Sequence, residues 1–365
     1  MRKQLKFLFS FLIIVSLVLV SCSDDEPTTA PVVEFETTPY TLVMPSNMPP
    51  PILPTDNPLT YESIALGKAL FFEKMMSKDG SISCGSCHSQ SRAFTDDGKV
   101  FSEGIEGKVG NRNSMPLFNL FYHTKGFFWD GRSKTLREQS LEPIENPLEM
   151  GDNLDNVITK LQSTKKYRTL FYNAFGDSTV SSLNMSLAME QFMLTLISGD
   201  SKFDKVERGE AQFTESEQRG KDLFNRSLET DGSVRGADCF HCHGTADFSN
   251  HEFMNNGLDD ESSFTDLGRA EFTKKETDNG KFKTPSLRNI AVSGPYMHDG
   301  RFETLEEVIE HYDNGLKTSP TVDPNIHGMK FRMNLTRQDK IDLIAYLHTL
   351  TDEVYLNNPN YMEEK

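Results

Sequence analysis

The stretches CGSCH, at residues Cys84–His88, and CFHCH, at residues Cys239–His243, decide what kind of protein this chain is. Each pairs two cysteines with a histidine that follows the second one directly. Covalent attachment of a c-type haem needs this contiguity, because both thiols bond to the haem vinyl groups while the adjacent imidazole reaches the iron. Disulfides or zinc would also use paired cysteines, but neither requires that histidine in both motifs. The sequence therefore predicts two covalently bound haems, held by Cys84, Cys87, His88, Cys239, Cys242 and His243.

The fifth cysteine, Cys22, follows a stretch with the layout of an export signal. Residues 1–21 read MRKQLKFLFSFLIIVSLVLVS, a basic start and then an apolar run. Leu19–Ser21 before Cys22 resembles the lipobox of bacterial lipoproteins, and an ordinary signal or membrane anchor is the alternative. We expect a signal peptide over 1–21, a lipid on Cys22 and a location in the periplasm or cell envelope. Residues 22–56 are rich in Asp, Glu, Pro and Thr, which predicts a flexible tether.

Composition and charge exclude some partners. The chain has 38 Lys and Arg against 54 Asp and Glu, a net charge of −16. This charge repels nucleic acid and anionic lipid and favours basic protein partners. We therefore expect no nucleic-acid partner and membrane contact through the lipid alone. A length of 365 residues suffices for two domains, and 36% hydrophobic residues is typical of a globular protein.

The two halves of the chain repeat one another beyond their cysteines. Residues 67–71 (GKALF) and 220–224 (GKDLF) precede the haem motifs. Residues 130–136 (DGRSKTL) and 299–305 (DGRFETL) follow them. Duplication is the economical explanation. The halves differ at the residue before DGR, which is Trp129, the single tryptophan, in the first half and a histidine in the second.

Helical periodicity dominates both halves. It is present before each haem motif and near the end of each half, over Tyr61–Met75, Asn184–Ile197, Glu215–Asn225 and Arg337–Leu350. Strand signals are sparse. The sequence therefore predicts a mainly α fold of two tandem cytochrome c-like haem domains related by duplication, over residues 57–205 and 206–365.

Several ordered motifs together resemble the bacterial dihaem cytochrome c peroxidase and MauG family. They are the first haem motif, FFWDGR, NPLEM, the second haem motif, KTPSLRN and PYMHDGRFETLEEV, spread over about residues 57–350. The resemblance implies that the N-terminal haem binds hydrogen peroxide. It also implies that the C-terminal haem relays electrons from a donor protein, such as a small cytochrome c or cupredoxin, for which a basic surface would suit this acidic chain. Dimers are common in the family, so a homodimer is one expected state.

The resemblance also implies roles for individual residues. His88 would be the proximal ligand of the peroxide-binding haem, with Gln139 and Glu149 above its distal face. A carboxylate there suits the proton transfers that accompany O–O cleavage. Trp129 would lie between the haems. The family's calcium ion would be held by Asn113 and by carbonyls near Lys283 and Pro285.

One departure from the family concerns the first haem. Members that require reductive activation carry a blocking histidine in the loop between the first haem motif and the Arg-Asn segment. This chain has no histidine between His88 and His123, and Ile105 stands at that place in our alignment. We therefore expect the sixth position of this iron to be open or held by water.

A second departure concerns the distal ligand of the C-terminal haem, which is a Met in the peroxidases and a Tyr in MauG. Counting from the DGR motif places Tyr312 there, and a Tyr ligand lowers the reduction potential, whereas Met raises it. Met329, Met333 and Met297 are alternatives, and Tyr312 could also be an ordinary core residue.

The sequence thus predicts an oxidoreductase of the cytochrome-c peroxidase type. A MauG-like oxidase that modifies residues of a partner protein is the nearest alternative. A dihaem electron carrier without enzymatic activity is the alternative from another class, and a structural zinc protein is a remote third. A carrier would not need the paired Gln139 and Glu149.

Overall fold

The computed structural model describes residues 35–227, 236–327 and 333–364, and helices dominate this part of the chain. In the first half the helices are α1 (Tyr61–Phe71), α2 (Cys84–Cys87), α3 (Leu136–Glu145), α4 (Leu154–Ser163), α5 (Lys165–Phe175), α6 (Ser182–Leu194) and α7 (Lys202–Glu207). In the second half they are α8 (Glu215–Asn225), α9 (Phe240–His243), α10 (Arg269–Thr273), α11 (Leu305–Glu310), α12 (Pro324–His327), α13 (Arg337–His348) and α14 (Glu353–Leu356). Strands β1 (Phe253–Met254) and β2 (Phe282–Lys283) pair antiparallel. The predicted mainly α fold is confirmed.

Each half is organised around one close helix crossing, and the repeated glycine explains it. Helix α1 packs on α6, and helix α8 packs on α13. A Cβ on Gly67 would lie 1.9 Å from the carbonyl oxygen of Ala188, and a Cβ on Gly220 would lie 2.0 Å from that of Asp342. No side chain fits at either distance, so the glycine of GKALF and GKDLF lets the helix backbones approach.

The DGR motifs recur because each leads into a capped helix. Thr135 accepts a hydrogen bond on its side chain from the backbone N–H of Glu138, and the Glu138 carboxylate accepts one from the backbone N–H of Thr135. Thr304 and Glu307 form the same capping box at the start of α11. Such boxes satisfy N–H groups that a helix start leaves without partners. The sequence pattern thus fixes where α3 and α11 begin.

The C-terminal end of the chain packs against the first half. The first core is built by α1, α3, α4, α5 and α6, and Tyr355, Leu356 and Tyr361 join it. The second core forms around α8, α11 and α13. Tyr355 donates its hydroxyl hydrogen bond to the carbonyl of Leu117 at 2.5 Å. Residues assigned from sequence to the second domain therefore complete the packing of the first half.

The segment before α1 is more ordered than the predicted tether. The backbone N–H of Tyr40 donates to the carbonyl of Leu59 at 2.9 Å, and Asn47 donates to Asp204 at 2.8 Å. Met48 is buried. The expectation of a flexible tether up to residue 56 is wrong for this part, because its scattered apolar side chains find places on the folded body. Cys22 and the predicted signal peptide lie outside the described residues.

Within the described ranges, no helix has the length and apolar character needed to cross a membrane.

Candidate haem sites and the cavity between them

The first haem motif presents an imidazole with one nitrogen fixed and the other available. Cys84 is the first residue of α2 and Cys87 is its last, and His88 follows as the C-terminal cap of the helix. Its Nδ1–H donates to the carbonyl of Phe94 at 2.5 Å, which leaves the lone pair on Nε2 for a metal. Burial lowers the pKa of His88, which favours the neutral imidazole. Burial also raises the pKa of Cys84 to about 12 and of Cys87 to about 11.

The second motif repeats this geometry. His243 Nδ1–H donates to the carbonyl of Phe248 at 2.8 Å, and burial lowers the pKa of His243 to about 4. Burial raises the pKa of Cys239 to about 12 and that of Cys242 to about 11. None of the four motif cysteines forms a disulfide. Neutral imidazoles with a free Nε2 beside two free thiols fit covalent haem attachment.

A cavity of about 1310 Å³, counting space open to solvent, lies beside the first motif. It brings together the residues predicted for the first haem site, which are Cys84, Cys87, His88, Trp129, Gln139 and Glu149. Its walls are largely apolar and include Phe71, Leu120, Leu136, Met189 and Met193. Apolar walls with a few convergent polar groups are typical of cofactor sites. The sequence did not predict that Lys283, from the second half, also lines this cavity.

Glu149 has the environment of a proton-transfer group. It follows α3, and its Oε1 accepts a hydrogen bond from the side chain of Asn146 at 2.7 Å. Burial raises the pKa of Glu149, while the hydrogen bond from Asn146 and the charge of Arg132 oppose that rise. Gln139, on α3, lines the same wall. The carboxyl group can therefore hold a proton at a higher pH than an exposed glutamate.

The loop that carries Ile105 is tied to the segment of Glu149. The backbone N–H of Ile105 donates to the carbonyl of Glu149 at 2.9 Å, and its side chain is buried. A Cβ on Gly104 would lie 2.1 Å from the carbonyl oxygen of Leu148, and one on Gly151 would lie 2.4 Å from Cδ1 of Ile105. The loop therefore lies directly against NPLEM. That the iron's sixth position is open stays a prediction.

Trp129 lies where the two halves meet. Its Nε1–H donates to the carbonyl of Asn113 at 2.8 Å. The backbone N–H of Asn113 donates to the carbonyl of His298 at 2.6 Å. The backbone N–H of Lys283 donates to the carbonyl of Trp129 at 2.7 Å. The indole thus faces the first cavity while hydrogen bonds connect it to the second half.

The residues predicted for calcium make other contacts. The side-chain amide of Asn113 donates to the carbonyls of Lys99 and Val100 at 3.2 and 3.0 Å. The Pro285 carbonyl faces the imidazole of His243, whose pKa it raises slightly against burial. The Lys283 ammonium donates to the carbonyl of Gly126, and burial lowers the pKa of Lys283 to about 7. The calcium ion stays a prediction.

Tyr312 lies in the second half, close to the haem motif. It is partly buried against the second core, and burial raises its pKa to about 12, with a smaller contribution from Cys242. Asn256 donates to the Tyr312 hydroxyl at 3.4 Å and lies 3.3 Å from the sulfur of Met297. Met333 is buried in the same core. Met329 lies outside the described residues. The identity of the distal ligand stays a prediction.

Fold, duplication and paired haem motifs define a protein with two c-type haems. Residues 61–212 match the family model of di-haem cytochrome c peroxidases. The chain is 36% identical over 307 residues to the methylamine utilization protein MauG of Methylorubrum extorquens, covering 82% of this chain and 81% of that protein. It is 31% identical over 314 residues to the cytochrome c551 peroxidase of Nitrosomonas europaea, covering 85% and 86%.

A solved structure of a MauG-like protein associated with microbial copper homeostasis is similar, with a TM-score of 0.80 and 34% identity over 88% of this chain and 99% of that one. The chain belongs to the di-haem cytochrome c peroxidase family. Family membership confirms the prediction of two haems of the c type and of an oxidoreductase of the peroxidase type.

Proposed function

We propose that this protein reduces hydrogen peroxide to water at the His88 site, with electrons from a donor protein entering through the His243 site. The cavity that joins His88, Gln139 and Glu149 carries this proposal. The haem supplies the iron that holds peroxide and exchanges electrons with it. The protein supplies the proton transfers, the path between the two sites and the exclusion of water.

Glu149 is the proposed proton carrier. It takes the proton from the near oxygen of peroxide and delivers it to the leaving oxygen, while Asn146 holds the carboxyl group in place at 2.7 Å. Gln139 lines the same wall and can donate or accept a hydrogen bond without titrating. The apolar walls limit water, which strengthens these polar contacts.

Trp129 is the proposed connection to the second half. Two hydrogen bonds lead from its indole through the backbone of Asn113 to the carbonyl of His298. The side chain of Met297, the neighbouring residue, shares Asn256 with Tyr312. Tyr312 is the proposed sixth ligand of the second iron, with Met333 and Met329 as alternatives.

A MauG-like oxidase is the second candidate function. The partly buried Tyr312 close to the second haem motif favours it, as does the identity of 36% to MauG of Methylorubrum extorquens. Such an enzyme would withdraw electrons from a residue of a partner protein. An electron carrier would not need a carboxyl group such as that of Glu149 on the wall of the His88 cavity.

The location and partners belong to the same proposal. The chain is exported to the periplasm or cell envelope and is anchored there by a lipid on Cys22. Its donor is a small basic cytochrome c or cupredoxin, for which the net charge of −16 is complementary. A calcium ion near Asn113, Lys283 and Pro285 and a homodimer complete the proposed assembly.

Stoichiometry tests the proposal. The holoprotein is mixed with a reduced small c-type cytochrome and limiting hydrogen peroxide, and oxidation of the cytochrome is followed by its absorbance. A peroxidase consumes two electrons per peroxide, because reduction to two waters requires them. Peroxide that disappears without oxidising the cytochrome would contradict the function. Such a result, together with oxidised residues in a partner protein, would favour the oxidase.

A further inference from the structure

Three potential metal ligands from distant parts of the chain meet behind the first cavity. His123 follows the short turn of Leu120–Tyr122, and it lines the cavity. Asp247 and His251 lie in the loop after the second haem motif and are both buried. One ligand atom of each lies within 4.8 Å of those of the other two. In the described ranges, no other three residues among the histidines, cysteines, aspartates and glutamates bring their ligand atoms this close together.

One carboxylate oxygen of Asp247 accepts a hydrogen bond, and the other has no hydrogen-bond partner. Oδ1 accepts a hydrogen bond from the side chain of Asn119 at 2.9 Å. Oδ2 is buried and has no hydrogen-bond partner, and it lies 3.4 Å from Nε2 of His251. A buried carboxylate oxygen without a partner is costly, so this site calls for a cation or a proton.

We propose that His123, Asp247 and His251 bind a divalent transition-metal ion of the zinc type. Two imidazoles and one carboxylate are a frequent ligand set for this ion, with bonds of about 2.0–2.2 Å. Tetrahedral ligands at that bond length lie about 3.4 Å apart, which is the distance between Asp247 Oδ2 and His251 Nε2. Side-chain rotation of His123 closes the remaining gap, and the fourth ligand is water from the cavity.

The surrounding charges permit a cation here. Arg288 Nε lies 3.9 Å from Asp247 Oδ1, but its guanidinium is engaged by both oxygens of Asp204, at 2.8 and 3.0 Å. The Lys283 ammonium lies 5.5 Å from the centre of the Phe127 ring, and His123 stacks on the same ring at 5.8 Å. Neither cation is bonded to Oδ2.

The ion would join the two halves of the protein. His123 belongs to the first half, whereas Asp247 and His251 belong to the second. The site is distinct from both haem motifs, whose histidines donate Nδ1–H to the carbonyls of Phe94 and Phe248. It also differs from the predicted calcium site, because imidazole nitrogen suits zinc, while calcium takes oxygen ligands.

Zinc uptake by the holoprotein tests the proposal. The holoprotein is dialysed against a chelator, which leaves covalent haem in place, and then titrated with Zn²⁺ by calorimetry, with metal content measured by mass spectrometry. We expect one zinc per chain. His123→Gln and His251→Gln should each weaken binding by at least about tenfold, the lower end of what a supporting residue is worth at a metal site. His348→Gln, at an exposed histidine of α13, is the matched control and should bind zinc as the wild type does.

Zinc K-edge X-ray absorption of the loaded wild type keeps the test independent of variant folding. Two imidazole ligands and one or two oxygens are expected. Absence of zinc uptake by the wild type would overturn the proposal. Unchanged affinity in folded His123→Gln and His251→Gln, or a spectrum without imidazole, would overturn it as well.

Discussion

Replacement of Glu149 by glutamine removes the proposed proton carrier and keeps its shape. The amide can still accept the hydrogen bond from Asn146, but it cannot take a proton from peroxide. General acid–base catalysis contributes about 10²–10⁴-fold. We therefore expect the second-order rate constant for peroxide to fall by at least about 10²-fold, which is about 2.7 kcal/mol of barrier. Both Soret bands should stay unchanged, because Glu149 is not a ligand.

The pH profile gives a second readout. Glu149 must be ionised to take the first proton, so the wild-type rate should fall as the pH drops through the pKa of this carboxyl group. Burial raises that pKa above the ordinary glutamate range, so the acidic limb should lie above about pH 4.3. Glu149→Gln should lose this limb. Asn146→Ala should shift it to higher pH, because the lost hydrogen bond opposes the rise.

Stopped-flow mixing with peroxide measures both quantities. Glu145→Gln is the control, because Glu145 is an exposed carboxylate at the C-terminal end of α3, four residues before Glu149. A rate for Glu149→Gln within about threefold of the wild type, well below the smallest usual contribution of a general acid–base, would refute the reasoning. Persistence of the same acidic limb in the variant would refute it too.

Four further predictions follow from other parts of the chain. Cys22→Ala should abolish detergent partitioning and lipid labelling while both haems remain; equal labelling would disprove the lipid anchor. Gly220→Ala should lower the melting temperature, because a Cβ 2.0 Å from a backbone oxygen costs about 1–3 kcal/mol or more, whereas alanine gains about 1 kcal/mol in helix propensity. An unchanged melting temperature would contradict the close approach of α8 and α13. Tyr312→Phe should change the absorption spectrum and reduction potential of the second haem only. An unchanged spectrum would show that Tyr312 is not the ligand of the second iron. The fully oxidised protein should react with stoichiometric peroxide, since Ile105 cannot ligate iron; a Soret band that stays unchanged until one electron is added would contradict this.

Local patterns located the four helices that were predicted from the sequence, and one of them, Glu215–Asn225, has the predicted bounds. Arg337–Leu350 was expected as a helix, and α13 spans Arg337–His348 with Thr336 as its N-cap. The first helix was expected to reach Met75 but ends at Phe71, and a separate 3-10 turn follows, where Glu73 accepts from the backbone N–H of Met75. These endings depend on single capping contacts that periodicity does not reveal.

Contacts between distant segments could not be predicted in the same way. The approach of Asp247 to Asn119 joins residues 128 positions apart, and the Lys283 side chain enters a cavity built by the other half. The family resemblance did place Glu149, Gln139 and Trp129 on one cavity, because it carries spatial information that composition and spacing lack. His123 lies outside the motifs of the family resemblance, and no sequence pattern marked it as a site residue.

The joint between the halves shows how a duplicated sequence produces two unlike sites. Asn113 donates its backbone N–H to the residue before the second DGR, and Lys283 donates its own to the residue before the first. In each of these bonds, a backbone N–H of one half donates to the carbonyl of the residue before the DGR motif of the other half. The residues that receive them differ, since one is Trp129 and the other is His298. Trp129 faces the cavity of His88, whereas His298 stacks on Phe282 with ring centres 3.6 Å apart. The same repeated position therefore joins the halves in both directions, and its one difference gives the first site an indole that the second lacks.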